Sequence, residues 1–141
     1  LKNVNSNLAL FKDNGVRSFS KILIALRPGR KNQDFIDVAD KICLHFGASL
    51  TLLNIVSENE KDLARIKKNS EEIISSSKSK SELKIIKSNN PVDTISEESA
   101  SYDLLILGTP EKDNWIRVLF GAGEDRFVKM AACSVLRLTI R

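Results

Sequence analysis

The stretch from Asp103 to Arg126, DLLILGTPEKDNWIRVLFGAGEDR, places glycines where a phosphate-binding loop needs them. A short apolar run ends in Gly108, and Gly121 and Gly123 stand directly before a segment with helical spacing. Backbone N–H groups at the start of a helix can cradle a phosphate, and glycine lets the backbone approach it closely. The same stretch also carries acids such as Glu111, which repel a phosphate. The sequence therefore predicts either a nucleotide-binding site or the framework of such a site that now serves another function.

Residue patterns typical of catalytic and metal sites are absent from the sequence. It contains no Gly-x-Ser-x-Gly elbow, no P-loop lysine motif and no Cys-x-x-Cys pair. Cys43 and Cys133 each lie among apolar residues, which indicates buried, reduced thiols. The single histidine, His45, lies at a predicted helix end and is interpreted as a surface or capping residue. Three acids recur at every third position of that helix and are expected on its outer polar face: Asp34, Asp37 and Asp40. We therefore expect no enzymatic activity and no metal site.

Composition favours one ordinary globular domain. The chain has 141 residues, of which 42% are hydrophobic and 28% charged, with a net charge of +4. The basic residues are scattered among acids rather than clustered with aromatic residues, which argues against nucleic-acid binding. No apolar run approaches the roughly 20 residues of a membrane span, and no signal peptide is visible.

Apolar spacing predicts strands and helices that alternate along the chain. The predicted strands are at 21–29 (with the closing turn), 49–56, 82–86, 103–108 and 134–140, and the predicted helices are at 35–46, 58–78, 91–100 and 123–132. Strands that alternate with helices form a parallel sheet with right-handed crossovers, and near-continuous apolar strands are covered on both faces. The predicted domain spans residues 20–141, and residues 1–19 are expected to be a polar leader or linker. Ligands of such sheets bind beyond the carboxyl ends of the strands, which selects the loops 27–32 and 108–123.

The chain resembles a universal stress protein domain of the UspA type from Lys21 to its end. The resemblance is carried by KILIAL, HFGASLTLLNIV, DLLILG and the tail FGAGEDRFVKMAACSVLRL. It implies an α/β fold, a three-layer α/β/α sandwich with a five-stranded parallel sheet of order 3-2-1-4-5, as in adenine nucleotide alpha hydrolase-like proteins. It also implies a homodimer, because family members often dimerise through the last strand.

Several positions depart from the motif of the nucleotide-binding branch of that family. The resemblance equates Gly108 and Gly121 with two motif glycines, whereas Glu111 stands at the position of another glycine. Ala122 stands at the place of a Ser or Thr, and Arg27 at the place of an Asp that ends the first strand. Glu111 adds bulk and negative charge, and Ala122 cannot donate a hydrogen bond to a phosphate. Arg27 can only donate hydrogen bonds, so it would favour a phosphate.

Two functional hypotheses follow. In the first, Arg27 and Glu111 pair and block the pocket, and the chain is a non-catalytic regulatory and dimerisation domain with a degraded ATP-binding motif. Such domains occur alone or fused to the cytosolic end of membrane transporters and channels. Because the sequence begins with Leu1 rather than Met and opens with a polar, leader-like segment, we expect a fusion of that kind on the cytoplasmic side.

In the second hypothesis the chain is a nucleotide sensor. ATP, AMP or a signalling nucleotide would then bind through altered contacts. The residues that the resemblance assigns to this site are Arg27, Ile55, Gly108, Thr109, Gly121 and Ala122.

Overall fold

The computed structural model describes residues 8–12, 18–27, 32–108 and 133–139. Their elements in chain order are β1 (Leu8–Lys12), β2 (Lys21–Leu26), α1 (Asn32–Phe46), β3 (Ser49–Val56), α2 (Leu63–Ser75), β4 (Ser81–Lys87), α3 (Pro91–Ser99), β5 (Leu104–Gly108) and β6 (Ser134–Thr139). The helix predicted at 123–132 lies outside the described residues.

The described strands form one sheet of order β1-β6-β5-β2-β3-β4. The five strands β2 to β6 run parallel to one another. Numbered 1 to 5 along the chain, they lie in the sheet in the order 3-2-1-4-5, as the resemblance implied. The α/β fold and the sheet order are thereby confirmed.

Strand β1 was not predicted, because it lies within the segment expected to be a polar leader. It pairs antiparallel with β6, in a register that runs from Leu8 opposite Thr139 to Lys12 opposite Val135. The partner strand comes from the other end of the chain, so local sequence gives no sign of the pairing. The outer edge of β6 is consequently paired with the chain's own N-terminal segment.

Two apolar clusters cover the two faces of the sheet. On one face α1 and α2 pack against alternate residues of β2 and β3, including Ile24 and Leu52. On the other face α3 packs through Ile95 against the intervening residues, including Ala25 and Leu53. Because successive side chains of a strand point to opposite faces, strands buried on both faces must be apolar almost throughout.

Helix α1 ends where the sequence predicts, at Gly47. This glycine has a φ of 64°, a left-handed conformation that a residue with a side chain adopts with difficulty. The N–H of Ala48 then donates to the carbonyl of Cys43 at 2.8 Å and closes the helix end.

Helix α2 is shorter than the predicted helix at 58–78. Residues 57–60 instead form a turn in which the N–H of Glu60 donates to the carbonyl of Ser57 at 3.0 Å. Among the described helices, none combines the length and the apolar character that crossing a bilayer requires.

The prediction that Asp40 lies on an outer polar face is wrong. Asp34 and Asp37 are exposed, whereas Asp40 is buried. Its carboxylate accepts hydrogen bonds from the N–H of Lys78 at 3.0 Å and from the N–H of Ser79 at 2.9 Å. It also accepts one from the Ser79 hydroxyl at 2.5 Å. Asp40 therefore ties α1 to the loop between α2 and β4.

Candidate functional site

A pocket of about 260 Å³ opens at the carboxyl ends of β2 and β3. Ligands of parallel sheets bind at this end of the strands, close to the point where the strand order reverses. The order reverses at β2, because β3 and β4 lie on one side of it and β5 and β6 on the other. The lining residues come from β2, β3, the loop after β4 and the first turns of α3: Ala25, Leu26, Arg27, Leu53, Ile55, Val56, Ser57, Ser88, Asn89, Pro91 and Ile95.

The floor of the pocket is apolar. Ala25 and Leu53 point to the α3 face of the sheet, and Ile95 reaches the same face from α3. Ile55 continues this surface and is only partly buried, which leaves it accessible at the pocket. Apolar walls of this kind suit the flat face of an aromatic ring, and the volume suits a heterocyclic base better than a whole nucleotide.

The mouth of the pocket is polar. Its lining includes Ser57, Ser88 and Asn89, which have neutral polar side chains, and Arg27, which has a cationic one. The Asn32 amide donates to the carbonyl of Arg27 at 2.8 Å. Because Asn32 is buried at the first position of α1, this hydrogen bond fixes the backbone at the end of β2.

Two of the predicted ligand residues line this pocket. Arg27 and Ile55 meet there, from the ends of neighbouring strands. Gly108 ends β5 but is not among the lining residues; it packs against α1 instead. The other residues named for the site or for its blocking fall outside the described residues: Thr109, Glu111, Gly121 and Ala122. The predicted pairing of Arg27 with Glu111 therefore stays a prediction.

The glycine at 108 has a packing role that requires no ligand. A Cβ atom built at this position would collide with a terminal methyl group of Leu26 and lie 3.1 Å from the Phe35 ring. Any side chain there would force these buried groups to move. This accounts for one of the two glycines on which the nucleotide hypothesis relied.

Sequence analysis missed the contribution of the loop after β4. Ser88, Asn89 and Pro91 line the pocket although they are far from the glycine-containing stretch. The available signal was the general rule that ligands bind beyond the carboxyl ends of parallel strands, applied here to two strands only.

Neither cysteine forms a disulfide, and both are buried, which makes them unsuited to nucleophilic chemistry. Burial raises the pKa of Cys43 to about 11, with a further increase from the nearby Asp40 carboxylate. Burial likewise raises the pKa of Cys133 to about 11. Because the thiolate is the reactive form, both thiols are inert near neutral pH. Within the part of the chain that the structure describes, no group of His, Cys, Asp and Glu is arranged to hold a metal ion.

Solved structures share this fold at low sequence identity. A universal stress protein crystallised in complex with cAMP is 15% identical, with a TM-score of 0.64, and the match covers 86% of this chain and 97% of that one. A universal stress protein of Archaeoglobus fulgidus in complex with dAMP is 12% identical, with a TM-score of 0.60, covering 86% and 99%. Another, from Archaeoglobus fulgidus DSM 4304, is 17% identical with a TM-score of 0.65; the match covers 96% of this chain and 50% of that one.

These likenesses show that the chain has the universal stress protein fold. No protein-family model matches the sequence, and a comparison with curated proteins found no match.

Proposed function

We propose that this chain is a non-catalytic regulatory domain of universal stress protein type that responds to an adenine nucleotide. The observation that carries the proposal is the pocket at the carboxyl ends of β2 and β3, with its apolar floor and polar mouth. The base of the nucleotide would lie on Ile55, Leu53 and Ile95. The ribose and phosphate would lie toward Arg27 and the mouth.

The likeness to solved structures supports the choice of ligand. Two proteins with this fold were crystallised with adenine nucleotides, cAMP and dAMP. The apolar floor of the pocket suits the base of such a ligand, and the polar mouth suits its ribose and phosphate. The absence of catalysis is part of the proposal and is taken from the sequence analysis.

Partners and location remain further parts of the proposal. The resemblance favours a homodimer and a place on the cytoplasmic side, free or attached to a membrane transporter or channel. Since the outer edge of β6 pairs with β1, a homodimer would use another surface or displace β1. The complete gene would distinguish a fused transporter from a separate protein.

The test of nucleotide binding is thermal unfolding of the chain with adenosine, cAMP, AMP and ATP, each with and without magnesium. A ligand present at 100 times its dissociation constant that binds only the folded state stabilises it by about 2.7 kcal/mol. For a domain of this size, that raises the Tm by several degrees.

A pair of matched variants locates the site. Ile55 and Ile86 are register partners on neighbouring strands, both are partly buried, and both pack against the same apolar cluster. Only Ile55 lines the pocket. We expect Ile55→Phe to fill the floor and abolish the nucleotide-dependent rise in Tm, whereas Ile86→Phe keeps it. If no adenine compound raises the Tm of the unmodified chain, the proposed ligand is wrong, and the nucleotide-free regulatory hypothesis remains.

A further inference from the structure

Helix α2 packs on the sheet less extensively than the other described helices. Of its 13 residues, only Ser70 and Ile74 are buried. The Asp62 side chain makes no capping hydrogen bond at its start, and no basic residue lies in its last turn. Because a helix in a protein is stabilised mainly by packing of its apolar face, α2 depends on other contacts for its position.

Those other contacts are polar and include the turn that follows α2. Gln33 in α1 donates through Nε2 to the Ser76 hydroxyl at 2.9 Å, and Asp40 accepts three hydrogen bonds from the turn. From β3, the Asn54 amide nitrogen donates to the Ser70 hydroxyl. The α2 segment, residues 63–79, is therefore attached to α1 and β3 largely by side-chain hydrogen bonds.

Two polar atoms along this contact have no partner. In the described part of the chain, the buried side-chain oxygens that make no hydrogen bond are Asn54 Oδ1 and Ser77 Oγ. Asn54 is fully buried beneath α2, and Ser77 lies in the turn. A buried polar atom without a partner costs free energy, because it has lost its hydrogen bonds to water. Water reaches both atoms if the α2 segment leaves the sheet, so this cost favours an open form.

The two ends of the α2 segment are anchored independently of its middle. Before it, the N–H of Glu58 donates to the Asn89 side chain at 3.3 Å, and the Asn89 amide donates to the Glu58 carboxylate at 3.2 Å. After it, the N–H of Leu50 donates to the carbonyl of Lys80 at 2.8 Å, where pairing of β3 with β4 begins. The segment can thus leave the sheet while β3 and β4 stay paired.

Cys43 lies beneath the turn and reports on this contact. Burial raises the pKa of its thiol to about 11 and the Asp40 carboxylate raises it further, whereas a hydrogen bond with the Ser79 side chain lowers it. Ser79 and Asp40 are therefore immediate neighbours of the thiol. Withdrawal of the turn would admit water to Cys43, and a solvated thiol ionises and reacts far more readily than a buried one.

We propose that the α2 segment is a flap that opens between its two anchors while the rest of the domain stays folded, and that its opening exposes Cys43. The inference goes beyond the proposed function and does not depend on a nucleotide. Local opening exposes less surface than global unfolding, so it responds less to denaturant. The flap gives the domain a second conformation, in which Cys43 is reactive.

The experiment follows the reaction of the chain with N-ethylmaleimide at pH 8, in urea concentrations below the unfolding transition. Peptide mass mapping gives the rate at Cys43 separately from that at Cys133, and the rate in the fully unfolded chain calibrates the reagent. We expect the fraction of chains with Cys43 exposed to exceed the globally unfolded fraction at least about tenfold, with a weaker dependence on urea. Amide hydrogen exchange should likewise be faster in α2 than in β2 and β3.

Variants test whether the polar contacts control the flap. Ser79→Ala should speed the reaction of Cys43 at least about threefold, because the hydroxyl no longer holds Asp40. Ser75→Ala is the matched control and should leave the rate unchanged, since the Ser75 hydroxyl donates to the Glu72 carbonyl within α2 at 2.6 Å. Asn54→Leu/Ser70→Ala should slow the reaction, because it replaces the unpartnered oxygen and its neighbour by apolar groups.

Three results would overturn the inference or part of it. If Cys43 reacts only as often, and with the same dependence on urea, as the whole domain unfolds, the flap does not open separately. If Ser79→Ala and Ser75→Ala change the rate equally, the opening does not occur at the contact with Asp40. If Asn54→Leu/Ser70→Ala remains folded and reacts as fast as the unmodified chain, the unpartnered oxygen does not favour the open form.

Discussion

Gly108 illustrates how one residue can satisfy a motif for a reason other than ligand binding. Its position at the end of β5 matches a motif glycine, yet the space for a side chain is taken by Leu26 and Phe35. All of these groups are buried, so the end of the Leu26 side chain and the Phe35 ring must both shift to admit a Cβ atom.

We therefore expect Gly108→Ala to lower the free energy of unfolding by about 1–3 kcal/mol, the usual cost of overpacking a core. Because Leu26 makes the closest approach, shortening it should relieve the collision. Chemical denaturation measures the free energy of unfolding of the two single variants and of Gly108→Ala/Leu26→Ala. The loss in the double variant should be smaller than the sum of the losses in the two single variants. Strict additivity of the two costs would contradict the packing account.

At the scale of elements, Asp40 shows how a single carboxylate can join a helix to a distant loop. It lies in α1 and accepts three hydrogen bonds from residues 78 and 79, between α2 and β4. Burial alone would raise the pKa of Asp40, but these hydrogen bonds outweigh it and hold the pKa below its ordinary value of 3.8. A carboxyl group with a lowered pKa in the folded state stabilises that state while it is ionised.

Replacing Asp40 should consequently have an effect that depends on pH. Asp40→Asn should lower the free energy of unfolding by about 2–3 kcal/mol at neutral pH, because hydrogen bonds to a charged acceptor are lost or weakened. Asp40 contributes fully above its unfolded pKa, and its contribution is lost as the pH falls through its lower folded pKa. The difference from the unmodified chain should therefore shrink in that acidic range. Denaturant titrations at a series of pH values measure this, with Asp37→Asn, on the exposed side of the same helix, as the control.

At the scale of the whole molecule, the sequence predicts what depends on neighbouring residues and misses what depends on distant ones. The strand Ser49–Val56 is found with its exact limits because it is apolar almost throughout, and the end of α1 is found because Gly47 is needed there. The position of Asp40 was missed because its helical periodicity suggests an outer face, whereas the loop that buries it is nearly 40 residues away. The contribution of the loop after β4 was likewise missed, since Ser88 and Asn89 reach the pocket only after the sheet has formed.

The pairing of β1 with β6 is the largest feature that depends on residues distant in the chain. It determines which strands form the two edges of the sheet. Without it, the edge of β6 would present unpaired N–H and C=O groups, and such edges readily pair with another chain. The opposite edge, β4, carries exposed Glu82, Lys84 and Lys87, which discourage pairing of that kind. Pairing with β1 moves the open edge from β6 to β1, a strand of only five residues that ends in Lys12. Because short edge strands with a lysine resist pairing with another chain, we expect β1 to limit self-association.

Proline substitutions in β1 can test this role of β1. Neighbouring N–H groups of a strand point to opposite sides, so of Ala9→Pro and Leu10→Pro one removes a donor that faces β6 and the other a donor that faces away. We expect the variant that loses the donor facing β6 to detach β1 and to self-associate, so its average mass in sedimentation experiments should rise with protein concentration. The variant that loses the donor facing away from β6 should behave like the unmodified chain. Faster amide exchange in β6 should accompany the change in mass for the same variant. If both variants keep the mass of the unmodified chain while one of them loses the protection of β6, the exposed edge does not drive association and β1 serves only to stabilise the sheet.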